Sequence, residues 1–319
     1  MKKPDHAVVI NNYDEFRAEI QTFADGKYHF AIVIGRTGLG KTETVREIVG
    51  PHHLLFESRP SGWGFFRDLY RDRHATVVMD DVAPAFYRDS VCLSLLKQLT
   101  ETHKTKTLHW PTGQTGEDRE IPSTFTTESR VILLTNDWAS VNEHVRAVEG
   151  RAQIIVFDPT PEEVHFEVGR RGWFHDEEVY DFLWNLRRFI TRPDMRAYRL
   201  LAEQKAAGRP WTKRGLEMLI GNMKLQQIAE LLQDDRFGSN NERAAAFEGL
   251  GLGVRSTFFR LLRDFRWYHA VDPAADPPKL RGTKANGSEI SSGAVARASA
   301  PDRPAHGGDV RQRRSAHST

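Results

Sequence analysis

A chain of 319 residues that is 39% apolar, holds one cysteine and has no stretch near ~18 consecutive apolar residues excludes a membrane-spanning helix and a fold stapled by internal disulfides. Its formal charge of +2 hides an asymmetry: residues 187–271 hold 16 lysines and arginines against 9 acids, residues from 272 onward 8 against 5, and residues 1–186 are net −8. An anionic polymer, if one is a partner, would therefore meet the back half, although a basic solvated face has the same composition.

Met1–His6 lacks the apolar stretch of a signal peptide, so a cytoplasmic protein is the expectation, with no membrane partner. Tyr13, Phe16, Ile20 and Phe23 fall at helical spacing. After Asp25 and Gly26 the run Tyr28–Ile34 reads as a buried strand, and it leads directly into Gly35, Arg36, Thr37, Gly38, Leu39, Gly40, Lys41 and Thr42. This is G-x-x-x-x-G-K-[ST], the phosphate-binding loop, with the required strand before it and an amphipathic helix, Thr42–Val49, after it. The glycines leave room for backbone N–H groups to turn onto a phosphate, and the helix start adds its positive end. Lys41 would reach the β and γ oxygens, and the Thr42 hydroxyl would ligate Mg²⁺, so ATP with Mg²⁺ is the expected ligand.

Leu54–Phe56 reads as a second strand, followed by an amphipathic helix through Phe65, Phe66, Leu69 and Tyr70. Thr76–Met79 then ends in Asp80 and Asp81, the form of a buried strand whose C-terminal edge faces a ligand. In this Walker B pattern Asp80 would hold Mg²⁺ and Asp81 would polarise the attacking water. Most ATPases of this type carry Glu at the second place, and Asp81 is one methylene shorter. Residues 88–102 read as one helix with Val91, Leu95, Leu96 and Leu99 on one side; Cys92 lies in its apolar run as a core residue, or as a reactive thiol.

Lys104–Phe125 alternates around a Gly-rich turn and reads as an inserted β-hairpin with a flexible tip. Val131–Leu134 is another buried strand, and Asn136 at its end would position water against the γ-phosphate, or simply cap the strand. A helix near Ser140–Glu149 leads to Arg151 and a fifth strand, Gln153–Phe157. Strands alternating with helices imply an α/β fold: a parallel sheet of about five strands with ligands at the strand C-termini. Residues 161–206 read as helices only, which suits a small lid.

The order of these parts resembles the AAA+ (ASCE-type) P-loop ATPases over about residues 10–206. The hairpin before the sensor strand is similar to the insertion in branches that include superfamily-three viral helicases and phage or plasmid ATPases. The resemblance implies ATP hydrolysis, with Arg151, or else Arg146, as the finger that reaches a neighbour's γ-phosphate, and Arg196 as the lid arginine called sensor 2. Each arginine also suits a plain surface position. A finger acting in trans implies a homo-oligomer, a ring or at least a dimer.

Beyond Gly208 the pattern changes. Leu216, Leu219, Ile220, Leu225, Ile228, Leu231 and Leu232 sit at helical spacing with Lys213, Arg214 and Lys224 between them, and Ser239 would cap a helix through Phe247. A glycine-rich turn at 249–253 separates it from a helix over Arg255–Arg266, in which Phe258, Leu261, Leu262 and Phe265 share one face. Arg255, Ser256, Arg260 and Arg263 are left on the other, where phosphates or base edges would meet them. The form is that of a helix-turn-helix, and equally of a helical hairpin with a solvated basic side. The tail from Asp272 has almost no large apolar residues and is expected to be disordered. The expected domains are thus an ATPase core at 1–160, a lid at 161–208, a basic all-α domain at 209–271 and a tail at 272–319. Two functions remain open on these residues: an AAA+ ATPase acting on DNA for a mobile element, in replication initiation, unwinding or loading, or a protein remodeller without DNA binding. A small-molecule kinase fits the loop but not the basic appendage.

Overall fold

Short runs rich in Val, Ile and Leu become strands buried on both faces, as parallel strands sandwiched between helices must be. The structure, a computed structural model, describes residues 6–58, 60–110, 120–136 and 150–268, with side chains through Arg263. The hairpin tip, the helix expected near Ser140–Glu149, Arg146 and the tail lie outside the described residues. The strands are β1 (Val8–Ile10), β2 (Phe30–Ile34), β3 (His53–Glu57), β4 (Thr76–Asp80), β5 (Lys106–His109), β6 (Thr124–Thr127), β7 (Val131–Thr135) and β8 (Gln153–Phe157).

Six of these form one sheet in the order β1-β8-β2-β7-β4-β3, with every pairing parallel. The sequence reading of about five strands is corrected by one. Three residues, Val8–Ile10, are too few to show a period, yet they pair with Ile155–Phe157 and close the edge beside β8. The sheet puts β7 between β2 and β4, with Ile132 in register with both Ala31 and Val78. The C-terminal ends of the loop strand, the Asn136 strand and the two-carboxylate strand therefore lie side by side. Alternate residues feed two cores: Ala31 and Val33 join one, Phe30, Ile32 and Ile34 the other.

Helices α1 (Tyr13–Ala24) and α2 (Lys41–Val49) flank the loop, with Asn12 capping α1 by accepting from the Glu15 N–H at 2.8 Å. The next helix, α3 (Gly62–Arg71), is capped by Ser61. A short helix that the sequence did not reveal, α4 (Pro84–Arg88), comes first, and the helix expected over 88–102 forms as α5 (Ser90–Leu99), starting two residues late. Asp89 is the reason: its carboxylate accepts from the N–H groups of Val91 and Cys92, both at 3.0 Å, which makes it an N-cap and not an interior residue. Cys92 is buried, as a core residue would be. The hairpin forms with Leu108 opposite Phe125, and an aromatic group anchors it to α3, Trp63 meeting Trp110 at 5.1 Å and Phe66 meeting Phe125 at 5.1 Å.

After β8 the chain is helical: α6 (Pro161–Arg171), α7 (Glu177–Leu186), α8 (Met195–Ala206), α9 (Trp211–Leu219), α10 (Met223–Gln233), α11 (Asn240–Gly249) and α12 (Arg255–Tyr268). The apolar run from Leu216 to Leu232 is split at Gly221, because Asn222 caps a new helix by accepting from the Lys224 N–H. Ser239 and Glu242 form the capping box of α11. Phe247 of α11 meets Phe258 of α12 edge-on at 5.6 Å, and Leu216, Leu225 and Phe247 belong to the same core as Tyr198 and Leu201 of α8.

One buried polar group sits among the helices that follow β8. The His165 ring stacks on Tyr180 at 3.7 Å, its Nδ1 lies 2.9 Å from the Tyr198 hydroxyl, and burial pushes its pKa down to about 3. A histidine held neutral in the fold but free to charge when unfolded destabilises the fold as pH falls from about 6.5 toward 3, because the unfolded chain takes the proton. We expect the unfolding free energy to fall by up to about 1.4 kcal/mol per pH unit in that window from this residue alone. His165→Gln should flatten that limb in urea titrations at pH 6.5, 5.5 and 4.5; an unchanged slope would count against it.

Candidate nucleotide site

Residues 35–42 form a tight loop between β2 and the first turn of α2. Gly38 and Gly40 adopt φ of 79° and 71°, values that a side chain makes costly, and a Cβ on Gly38 would lie 1.9 Å from the Asp194 carboxylate. That close approach joins the loop to the start of α8, as does the Met195 N–H, which donates to the Gly38 carbonyl at 2.8 Å. Arg36 points outward to tie the same parts together, donating to Asp158 at 2.9 Å and to the Thr191 carbonyl at 3.0 Å. Leu39 is buried, and its carbonyl accepts from the Tyr13 hydroxyl at 2.9 Å.

A cavity of about 650 Å³ opens above this loop. Thr37, Gly38, Leu39, Gly40, Lys41 and Thr42 form its floor, Asp80, Asp81 and Asn136 one wall, and Met195, Arg196 and Arg199 of α8 another. Lys41 lies in the curl of the loop, its Nζ donating to the carbonyls of Gly35 at 2.5 Å and Arg36 at 2.8 Å and to Asn136 Oδ1 at 3.1 Å. Burial lowers its pKa to about 8, against the opposite pull of Asp81 and Asp80. A cation paying that desolvation cost in a concave backbone loop is suited to an anionic ligand, and a polyphosphate fits it.

Thr42 donates its hydroxyl to Asp80 Oδ2 at 2.8 Å, so the two expected Mg²⁺ ligands meet at the first turn of α2. Burial raises the Asp80 pKa, the Thr42 hydrogen bond opposing it. Among the described residues no group of three or more His, Cys, Asp or Glu would hold a metal unaided. The hydroxyl and carboxylate are nonetheless a hard-oxygen pair of the kind Mg²⁺ uses when water and phosphate supply its other ligands.

Asp81 stands in the left-handed region at φ 45°, where non-glycine residues are uncommon and Asp and Asn are enriched. Its N–H donates to the Leu134 carbonyl at 3.2 Å, which fixes it to the end of β7. This backbone gives a physical reason for the short acid: the conformation favours Asp. Asn136 then spans the site, its Nδ2 donating to both Asp81 carboxylate oxygens at 2.7 and 2.6 Å while its Oδ1 accepts from Lys41.

The structure thus brings Lys41, Thr42, Asp80, Asp81, Asn136 and Arg196 to one cavity. Arg151 is elsewhere: it precedes β8 at the opposite edge of the sheet, a strand length of roughly 15 Å from the loop, and donates to the Lys97 carbonyl at 3.0 Å. Arg255, Ser256, Arg260 and Arg263 lie together on the exposed side of α12 with the 40%-exposed Phe259 among them. Arg255 also approaches Glu248 at 3.8 Å. Sequence reasoning missed Arg171, Trp173 and Arg199 in the cavity and gave Asp194 no role. Arg171 and Trp173 flank Gly172, the left-handed C-cap of α6, and an Arg-Gly-Trp run at a helix end was the available signal.

No protein-family model matches the chain, and no curated protein matches it by sequence. Solved structures align with it at low identity and low TM-score. RuvB of Thermotoga maritima aligns at 11% identity and a TM-score of 0.39, covering 80% of this chain and 84% of that one. NtrX of Brucella abortus, solved in complex with ATP, aligns at 14% identity and 0.40, covering 80% and 68%, and a katanin solved for the basis of its self-assembly at 15% and 0.39, covering 84% and 85%. Among the described residues no helix is long and apolar enough to cross a membrane.

Proposed function

We propose that the chain is an AAA+ ATPase that binds ATP with Mg²⁺ on Gly35–Thr42, hydrolyses it, and acts on DNA through α12, as an initiation, unwinding or loading factor of a mobile element. The observation that carries the ATPase reading is the hydrogen-bonded chain from Lys41 through Asn136 to Asp81. It links the group suited to grip the terminal phosphates to the carboxylate suited to polarise water. Lys41 balances charge on the phosphates, Asn136 holds the Asp81 carboxylate in one orientation, and Arg196 supplies a second cation from the lid. Thr42 and Asp80 would hold Mg²⁺, which would offset negative charge on the phosphates. Arg151, remote from its own cavity, suits a neighbour's site, which supports a homo-oligomer.

DNA binding is supported by the excess of 16 cations over 9 acids in residues 187–271 and by the exposed Arg255, Ser256, Arg260 and Arg263. Exposed Leu250, Val254 and Phe259 around the same turn and helix favour a second reading, in which α12 grips a protein partner. Salt separates them, since binding through phosphates loses affinity steeply with salt and apolar docking does not. We expect duplex or single-stranded DNA to bind at low salt and to raise ATP turnover. Arg260→Glu with Arg263→Glu should weaken binding at least about tenfold and reduce the salt slope by about one for each phosphate no longer neutralised. An ATPase rate indifferent to DNA, with no DNA bound at low salt, would remove the DNA reading and leave the remodeller.

A further inference from the structure

The cavity above the phosphate loop extends beyond it to a wall made by Arg171 and Trp173. Arg171 is fixed there by three hydrogen bonds of 2.7 Å: Nε donates to Glu167, Nη1 to Glu47 and Nη2 to the Thr44 hydroxyl. Thr44 and Glu47 lie on α2, and a rise of about 1.5 Å per residue puts Glu47 ~9 Å along the helix from Lys41. Asp81 and Asn136 mark the end of the cavity where a terminal phosphoryl would lie; Arg171 and Trp173 mark another, farther along α2.

A second cleft continues from this wall, lined by Arg17, Glu47, Arg170, Arg171 and Trp173. Three arginines would suggest a further anion, but each is answered by a carboxylate. Glu167, its side chain fully buried, pairs with Arg17, with Arg170 at 2.6 Å and with Arg171. Asp14 takes Arg170 at 2.5 Å, and Glu47 takes Arg171. With three cations matched by three acids, the cleft offers little net attraction to another phosphate. What it offers is a flat aromatic surface. Trp173 is 41% exposed at the junction of the two clefts, and the Phe174 ring supports it edge-on at 5.6 Å.

We infer that Trp173 is the stacking surface for the base of the bound nucleotide, with the immobilised Arg171 guanidinium as the rigid side of the base cleft. The inference rests on the nucleotide reading above and names the part of the ligand that reading leaves open. Stacking tolerates base identity because every base has a π-face, so Trp173 would favour the larger purines over pyrimidines and separate ATP from GTP weakly.

The test compares a ligand with a base to one without. Titrations of wild type, Trp173→Ala and Trp173→Phe with ATP, CTP and inorganic tripolyphosphate, each with Mg²⁺, should show Trp173→Ala weakening ATP by about 10- to 100-fold. Tripolyphosphate binding should stay within about twofold of wild type, and Trp173→Phe should recover most of the ATP affinity. Equal weakening of ATP and tripolyphosphate would make Trp173 a structural residue of the lid and overturn the inference. So would tight ATP binding that Trp173→Ala leaves unmoved, in which case the nucleotide reading stands alone. A wild-type protein that bound neither ligand would overturn both.

Discussion

Lys41→Ala is expected to weaken triphosphate binding by at least about 100-fold, since it removes a buried charge whose hydrogen bonds to phosphate are among the strongest a protein makes. The same residue gives binding a pH signature. Burial lowers the Lys41 pKa to about 8, so the free protein begins to lose this proton as pH rises through that value. A phosphate favours the protonated form, while phosphate groups complete their own last ionisation near pH ~6 and do not titrate in this range. ATP affinity should therefore be level from pH 7 to 7.5 and fall above pH 8 toward tenfold per pH unit. Lys41→Arg keeps a charge at every accessible pH, so whatever binding it retains should be flat across that range. Isothermal titration at pH 7.5, 8.5 and 9.5 checks both points. Wild-type affinity in Lys41→Ala would mean that the loop is not the site, and a level wild-type profile would mean that another cation holds the phosphates.

The elements legible in the sequence were those whose signal is local. The loop glycines need no partner to be recognised, and the runs ending at Asp80 and Asn136 declare buried strands by their apolar content. Their adjacency was less accessible. It depends on β7 inserting between β2 and β4, a long-range pairing that no period reveals. Val8–Ile10 failed for the opposite reason: three residues have no period, and only the exposed edge of β8 makes them a strand. The helix expected from residue 88 starts at Ser90 because Asp89 caps it from outside, and Pro84–Arg88 is too short to show a helical period. Arg171 and Trp173 stayed hidden because their place in the cavity is set by Glu167, Glu47 and Thr44, hydrogen bonds that join α6 to itself and to α2. Motif residues announce their chemistry, whereas residues positioned by neighbours distant in the chain do not.

Asp81→Asn should leave ATP binding within a few-fold of wild type and lower turnover by about 10²- to 10⁴-fold, the range expected for losing a positioned base. The substitution suits this position because Asn shares the tolerance of Asp for the backbone at φ 45°, so a loss of activity would report chemistry and not a refolded loop. Asn136→Ala should follow it with a smaller loss in turnover, because the carboxylate remains but its two hydrogen bonds of 2.7 and 2.6 Å do not. Full ATPase activity in Asp81→Asn would show that water is activated elsewhere. The variant also tests the assembly. Arg151 lies roughly a strand length from its own loop, so a finger at this position would serve the adjacent subunit, and its loss would cost about 10³ to 10⁵ in rate. Mixing Arg151→Ala with Asp81→Asn places an intact Asp81 beside an intact Arg151 at roughly a quarter of randomly formed interfaces. Two variants inactive alone should then recover activity together, and that recovery should vanish on dilution below the concentration at which subunits associate. A mixture as inactive as its parts would remove Arg151 from the neighbouring site while leaving Lys41, Asp81 and Asn136 as they stand, because their arrangement lies within one chain.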